Sequence, residues 1–555
     1  GDGVITAANT NRTTFAAIGA TAKKALSVTV SSGADALFGG AVETNTLTIT
    51  GDAIVQASDN GSEVIAMGAS STLIIDDTVT NGDDVFNGVA TTRPTLTSGA
   101  KIYLPGNLKT TQTLNLFEDA SNAGLSDNAT TITETTAALQ DNALFDYTAA
   151  ASTTGNGFTV VTATYKSDAT AASELGITNN KAVALKQALL SAIDDTNADA
   201  TLEDQFTNAI NGIAGQSATA DTGLANQVGV QTDGIAGSTS ATRAMTGTVQ
   251  GIVSNRMASL RSGDAYVAGV AAGDGMSKGS GFLQLFGSHA TQENTTVGSG
   301  TEFGYTAETI GYALGFDGTT EGGSVLGLSF SSSNTDVAGK GTGNSKNDIE
   351  SYTASIYADK VTDVGYFEGS LTFGTNDNAT SRKVNTAGID RTYKGSYDSE
   401  QVSLKIGAGF PNLMPNGMFI TPFGSVTGTL IQTDAYTETS TTSNDNLRLK
   451  IEQDDLTSIV GSVGFKVHKV TDEGTPFVSL AINNEFGDNT INNTNTYQGG
   501  GSAFKTSTKV EELSATLGLG FASGSDTTSL NVGYEAEVGD DYLGHYGTIK
   551  LIHKF

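Results

Sequence analysis

LSATLGLGF, residues 513–521, decides how the second half of this chain is read. Leu513, Ala515, Leu517, Leu519 and Phe521 make one apolar face, and Ser514, Thr516, Gly518 and Gly520 make a small, polar one. That alternation has the period of a β-strand. It recurs at 309–316, where Ile310, Tyr312, Leu314 and Phe316 stand against Thr309, Gly311, Ala313 and Gly315. A soluble sheet of this size needs a second layer over its apolar face. The residues opposite are too small and polar to build such a core, so lipid is the expected cover, as on a membrane-spanning barrel.

Working outward, twelve strands of this kind are predicted from residue 281 onward. Their connections alternate in length. Long ones are expected at 335–348, 376–395, 433–455 and 488–507, and short ones at 318–323, 361–363, 411–417, 470–474 and 523–526. Outer-membrane barrels place short turns on the periplasmic side and long loops outside. An even strand number brings both barrel ends to the periplasmic side. Whatever precedes the barrel then stays in the periplasm or runs up through the bore.

The composition agrees. Hydrophobic residues are 37% of 555, and no run of 18 apolar residues occurs, so a transmembrane helix is not expected. Gly is abundant at 68 copies, Pro rare at 6 and Trp absent, which suits long strands with a narrow lumen-facing side. Gly1 to Val4 reads as a mature terminus rather than a signal peptide. The formal net charge of −30 argues against nucleic acid and anionic surfaces as partners.

Three further regions separate by pattern. Residues 1–166 carry short β runs such as Leu47-Thr48-Ile49-Thr50 and Leu73-Ile74-Ile75 between Gly/Asn/Asp turns, which predicts a β-solenoid. GADALFGG at 33–40 and GDDVFNG at 82–88 align 48 residues apart, placing Phe38 over Phe86 as two coils of about 24 residues would. Residues 167–237 read as a helical stalk or linker. Residues 238–262 read as an amphipathic helix with Met245, Val249, Ile252, Val253 and Met257 in one stripe beside Asn255 and Arg256. About 23 residues at 1.5 Å each would cross a hydrocarbon layer, so this helix is expected in the barrel lumen. The barrel domain then takes 263–555. The fold class is all-β with a helical insert: a short solenoid, a helical linker and a 12-stranded antiparallel transmembrane barrel with a lumenal helix.

These residues resemble a known family. GTVQGIVSNRMASLRSG (247–263) followed by GFLQLFGSHATQE (281–293), then TIGYALGFDG (309–318) and on to VGYEAEVGDDYLGHYGTIKLIHKF (532–555), is similar to the helix-to-barrel junction and translocator domain of classical monomeric autotransporters of type V secretion. The resemblance covers about 240–555. It implies a 12-stranded outer-membrane barrel, a helix in its lumen and a passenger carried to the cell surface. It also implies that Phe555, with Leu551 and Ile549 upstream, is the terminal signal read by the barrel-assembly machinery; His553 and Gly547 depart from that pattern. Some relatives cut their passenger off at an Asn-Asn pair within the lumenal helix. Here a lone Asn255 follows Ser254, so an uncleaved passenger is expected.

Little chemistry is legible. The four histidines, His289, His468, His545 and His553, all fall on barrel strands or their edges, without metal-ligand spacing. The passenger has no His and no Cys, so neither a Ser-His-Asp nor a Cys-His nucleophile can be assembled from it, and no enzyme is expected. Asp76, Asp77, Asp83 and Asp84 flank the turn DDTVTNGDD. Hard oxygen ligands on Gly-rich turns suit calcium; solvated turn acids are the competing reading, since no EF-hand or nonapeptide spacing is met. Tyr305, Tyr366, Phe419, Tyr542 and Tyr546, near strand ends, are expected in interfacial belts. The functional expectation is surface display of an acidic, non-enzymatic passenger that self-associates into a coat or serves adhesion. The alternative is a porin-like channel with a periplasmic N-terminal domain. Expected partners are outer-membrane lipid, the barrel-assembly machinery and copies of the chain itself.

Overall fold

The computed structural model describes residues 3–554 apart from 77, 90–93, 106–107, 109–111, 120–127, 152–158, 195–201, 203–204, 206–217, 229–231, 262–278, 321, 387, 443–444 and 525–526. Asp77 and Phe555, both singled out above, lie outside the described residues. The chain divides into two compact units, one built from Gly1–Ala225 with Thr386–Ile389, the other from Asn226–Asn385 and Asp390–Phe555.

The first unit is a parallel two-sheet solenoid. Val4–Ala7, Ala25–Val30, Thr44–Ile49, Ser62–Met67 and Thr95–Leu96 stack as one sheet. Thr13–Phe15, Asp35–Phe38, Asp52–Val55, Thr72–Ile75 and Lys101–Tyr103 stack as the other. Each strand turns its alternate β-branched and aliphatic residues inward. Val28, Val30, Leu47, Ile49, Ile65 and Met67 from one sheet meet Phe38, Val55, Leu73 and Ile75 from the other in a dry core. Ser27 lies opposite Thr46 and Thr46 opposite Val64, so these coils are shorter than the expected 24 residues. The 48-residue alignment does not form. Phe38 pairs with Val55 and stacks on Phe15, whereas Phe86 pairs with and stacks on Phe117 in a separate four-stranded sheet. Chain length between rungs is set by the turns, which differ, so a fixed sequence period misplaces the aromatic residues.

That second sheet ends the solenoid with antiparallel pairing. Thr113–Asp119, Phe145–Ala151 and Thr159–Tyr165 join Asp84–Val89, with the helix Asn128–Ala138 between them in sequence. A helical segment follows. Asp168–Leu175 is capped by the Ser167 hydroxyl, which accepts from the Thr170 amide at 3.1 Å, and is stopped by Gly176 in the left-handed region. Asn179–Asp194 and Ala218–Val228 are the next helices described at length.

The second unit is a closed antiparallel barrel of twelve long strands: β1 (Gly279–Gln292), β2 (Tyr305–Thr319), β3 (Ser324–Gly339), β4 (Lys346–Val361), β5 (Tyr366–Thr386), β6 (Ile389–Gly409), β7 (Met418–Thr433), β8 (Leu456–Lys469), β9 (Thr475–Glu485), β10 (Leu513–Gly524), β11 (Thr528–Gly539) and β12 (Tyr542–Lys554). Each pairs with its neighbour in order, and β12 closes the ring on β1 with Leu551 opposite Leu283 and Ile549 opposite Leu285. No helix among the described residues is long and apolar enough to cross a membrane; the crossing is made by strands. The outward row is apolar and open, including Ile310, Leu314, Phe316, Leu517, Leu519, Ile549 and Leu551. The inward row is small or polar and buried, as in Ser329, Ser331, Ser333 and Thr335 of β3. Closure removes every sheet edge, so each backbone N–H and C=O finds a partner without water.

Two of the expected long loops are instead strand. β5 runs to Thr386 and β6 resumes at Ile389, so most of 376–395 is a hairpin standing on the barrel, and the gap between β3 and β4 is only 340–345. The polar residues that read as loop, such as Asn376 and Asn378, are buried inward-facing strand positions. The loops after β7 and β9 are folded too. Tyr436–Thr437, Leu449–Gln453, Thr490–Tyr497 and Phe504–Lys509 pair as a four-stranded sheet at the long-loop end.

Candidate functional site

The lumen of the barrel is filled by one helix, Thr232–Leu260, six residues longer at its start than expected. The extension is held in place by Asp233. Its carboxylate accepts from the Ser345 hydroxyl at 2.9 Å and from the Gly341 amide at 3.0 Å, tying the helix start to the short loop between β3 and β4. An acid in the first turn also suits the positive end of the helix dipole.

Along its length the helix meets wall residues from many strands. The Thr246 hydroxyl donates to Gln401 at 2.6 Å, Gln250 to Ser403 at 2.7 Å, and Asn347 to Ser238 at 2.5 Å. Lys405 donates to Ser254 at 2.9 Å, and Lys550 to the Ile252 carbonyl at 3.2 Å. Ion pairs punctuate these contacts. Arg243 reaches Glu485 at 2.9 Å. Arg256 forks onto Asp317 at 2.6 and 2.7 Å, and the same carboxylate accepts from Ser280 at 2.5 Å and Tyr357 at 2.9 Å. Arg261 pairs with Asp359 and, at 3.0 Å, with Glu368, its guanidinium lying 3.6 Å over the Tyr366 ring. Buried bidentate pairs of this kind fix orientation as well as energy.

The apolar stripe seats against what the strands leave open. Ile252, Val253 and Met257 pack with Phe282, Phe286, Ala313, Tyr357 and Ile552. Glycine makes this possible at Gly315, where a Cβ would stand 2.2 Å from the Phe282 ring, and at Gly327, 2.2 Å from the Tyr357 ring. Of the helix residues read from sequence, Met245, Val249, Ile252 and Arg256 are buried in the lumen, and Asn255 is exposed into a cavity at the short-turn end.

At the opposite end the chain enters the bore under a second cluster. Arg382 forks onto Glu438 at 2.6 and 2.7 Å and donates to the Leu447 carbonyl at 2.7 Å. Arg382 and the Tyr497 hydroxyl both donate to the Val228 carbonyl, at 3.4 and 3.0 Å. Burial pushes the Tyr497 hydroxyl well above its ordinary range against the opposing pull of Arg382, so it remains a protonated donor.

The other residues named from sequence fall as follows. Leu551 and Ile549 lie on the outward apolar row. Asp76 accepts from Thr78 and Gln56, Asp83 caps Thr80, and Asp84 accepts from Asn115. Among the described residues no group of three or more acidic, His or Cys side chains is gathered as a metal would need. His289 meets Glu308, His545 meets Tyr534 and His553 meets Thr528, all at the exposed wall, while His468 stacks on Phe419 inside. The expected aromatic belt is corrected for all five of its members, Tyr542 being on the inward row of β12 with Tyr546. Tyr305 is buried with Val337 and Ala241, Tyr546 packs near Phe286, and Tyr366 and Phe419 line the lumenal cavity. Position near a strand end does not reveal which face a ring takes; alternation does, and these five share the parity of the inward row.

Sequence reading missed the wall partners Asp317, Asp359, Glu368 and Glu485. Parity was the available signal for the first of them. Asp317 continues the inward series of Ala307 and Ala313, opposite in phase to Leu314 and Phe316.

A closed twelve-stranded barrel with a helix held in its bore defines a translocator of the outer membrane. Residues 281–535 match the family model of the autotransporter beta-domain. The chain is 25% identical over 312 residues to outer membrane protein A of Rickettsia rickettsii, and 25% identical over 264 residues to outer membrane protein A of Rickettsia conorii. These matches take in 53% and 45% of this chain but only 13% of each relative, so the chain covers a small part of the length of both. Among solved structures, the translocator domain of autotransporter NalP from Neisseria meningitidis aligns at TM-score 0.44 with 16% identity, over 57% of this chain and 98% of that one. The beta domain of the Bordetella autotransporter BrkA aligns at 0.39 with 16% identity, over 50% of this chain and all of that one. Residues 281–535 are thus an autotransporter beta-domain, and homologues that carry this domain are outer-membrane proteins with their passenger exposed on the cell surface.

Proposed function

We propose that this chain displays a small, uncleaved, non-enzymatic acidic passenger, and that the passenger acts by packing against copies of itself as a surface coat, with adhesion as the second use of the same surface. The observation that carries the reading is the seated helix. It runs unbroken from Thr232 to Leu260 and is tied by Arg243, Arg256 and Arg261 to carboxylates of the wall. Asn255 looks into a cavity that, among the described residues, no acidic side chain lines, so none of them offers a carboxylate to activate it for cutting the chain. An occupied bore also disfavours the porin-like alternative. The solenoid supports a structural role for the passenger: its inward residues are spent on its own core, and its first 166 residues contain no His or Cys. Lipid along the outward row and the barrel-assembly machinery at the terminal strand are the partners this reading requires.

Protease shaving of intact cells tests it. Display predicts loss of the 1–166 region from a full-length species that is uncut before treatment, and electron imaging should show a continuous layer. Protection of that region, or a separate barrel fragment in untreated cells, would overturn it.

A further inference from the structure

A cavity of about 110 Å³ lies inside the barrel at the short-turn end, between the last turns of the lumenal helix and the wall. Its charge is anomalous. The chain as a whole carries 59 acids against 29 lysines and arginines, yet Arg261, Lys466 and Lys550 line this cavity and, among the described residues, no Asp or Glu does. Three inward-facing carboxylates of the wall, Asp317, Asp359 and Glu368, are engaged by Arg256 and Arg261. Arg256 takes up Asp317 and Arg261 takes up both Asp359 and Glu368, which leaves Lys466 and Lys550 without a carboxylate partner among the described residues. Lys550 is held by the Ile252 carbonyl at 3.2 Å, so Lys466 is the less engaged of the two. Its ammonium lies 4.1 Å over the Phe477 ring and has no carboxylate within ion-pair distance among the described residues. A ring face offsets only part of the cost of desolvating a cation.

We infer that this cavity binds a small tetrahedral oxyanion of the phosphate class. The space is several times what one water needs. Donors approach it from different sides: Lys466 from β8, Lys550 and Thr548 from β12, Asn531 from β11 and Asn255 from the helix. Donors spread in this way suit a tetrahedral anion better than a planar carboxylate, which is served along one edge. His468, stacked on Phe419 at 4.9 Å, adds a ring nitrogen, Nδ1, that has no hydrogen-bond partner. The bound anion joins the wall lysine to the helix at Asn255 and Ser259, so it fastens the last helical turn inside the bore. Entry is from the periplasmic mouth, since lipid lies on the other side of the strands.

The test uses the full chain folded in detergent, with inorganic phosphate titrated against chloride at constant ionic strength. Thermal loss of the compact barrel band on an unheated gel and ³¹P line width of the phosphate are read together. The wild type should show a saturable rise in melting temperature and a saturable line broadening. Lys466→Met keeps the long side chain over Phe477 and should fold. It should weaken the apparent affinity about tenfold or more, the contribution of one charge-assisted hydrogen bond, and Lys466→Arg should restore it. A parallel titration with short-chain phosphatidic acid separates the sources: a response to phosphate marks a free anion, and a response to the lipid alone marks a headgroup. No saturable response to either, or an equal response in Lys466→Met by line width, overturns the assignment.

Discussion

Removing the Arg256 guanidinium while keeping its bulk, as Arg256→Met, isolates what the buried pair contributes to seating the helix. Both side chains are nearly sealed from solvent, at 2% and 1% exposure. Without the arginine, the Asp317 carboxylate keeps only the Ser280 and Tyr357 hydroxyls and stays buried as an uncompensated charge. Breaking a buried pair from one side costs about 3–5 kcal/mol. Replacing both partners can be close to neutral, because the desolvation cost disappears with the charge. Arg256→Met should therefore lower the stability of the barrel by about 3–5 kcal/mol, and adding Asp317→Asn should recover most of the loss. The assay is equilibrium urea unfolding in detergent micelles, followed by loss of the compact band on an unheated gel, for the wild type, both single variants and the double. A coupling energy near zero, or a single variant within about 1 kcal/mol of wild type, would refute the view that this pair locks the helix in place.

Four further outcomes are expected. Leu517→Lys places an ammonium on the outward row between Leu480 and Ala536; folding into lipid vesicles should lose about 2–4 kcal/mol if the site is near the bilayer midplane, and Leu517→Ala should lose much less. Gly327→Ala drives a methyl into the Tyr357 ring, and overpacking should lower barrel stability by about 1–3 kcal/mol, read by the same urea titration. Leu47→Ala hollows the solenoid core, where Leu47 is 1% exposed; a loss of about 2–5 kcal/mol should appear as earlier proteolysis of the passenger with the barrel band unchanged. Millimolar calcium should leave the solenoid melting temperature where it was, because Asp76, Asp83 and Asp84 are already engaged by Thr78, Thr80 and Asn115; a saturable rise by calorimetry would show that the turn acids hold a cation.

Sequence alone determined the barrel, because period-two alternation is a local property. Each residue of LSATLGLGF carries its own face with it, and twelve such stretches separated by turns leave one topology with no free edge. The helix stripe at Met245, Val249 and Ile252 is local in the same sense. The partners of that helix were not legible, since Arg256 and Asp317 stand 61 residues apart and Thr246 and Gln401 155 apart. Their meeting is set by how far strand registers stagger around the ring, and no window of sequence records that stagger. The solenoid shows the same division: its inward aliphatic residues were readable strand by strand, while the rung on which Phe38 and Phe86 fall depended on turn lengths that only the stacked coils decide.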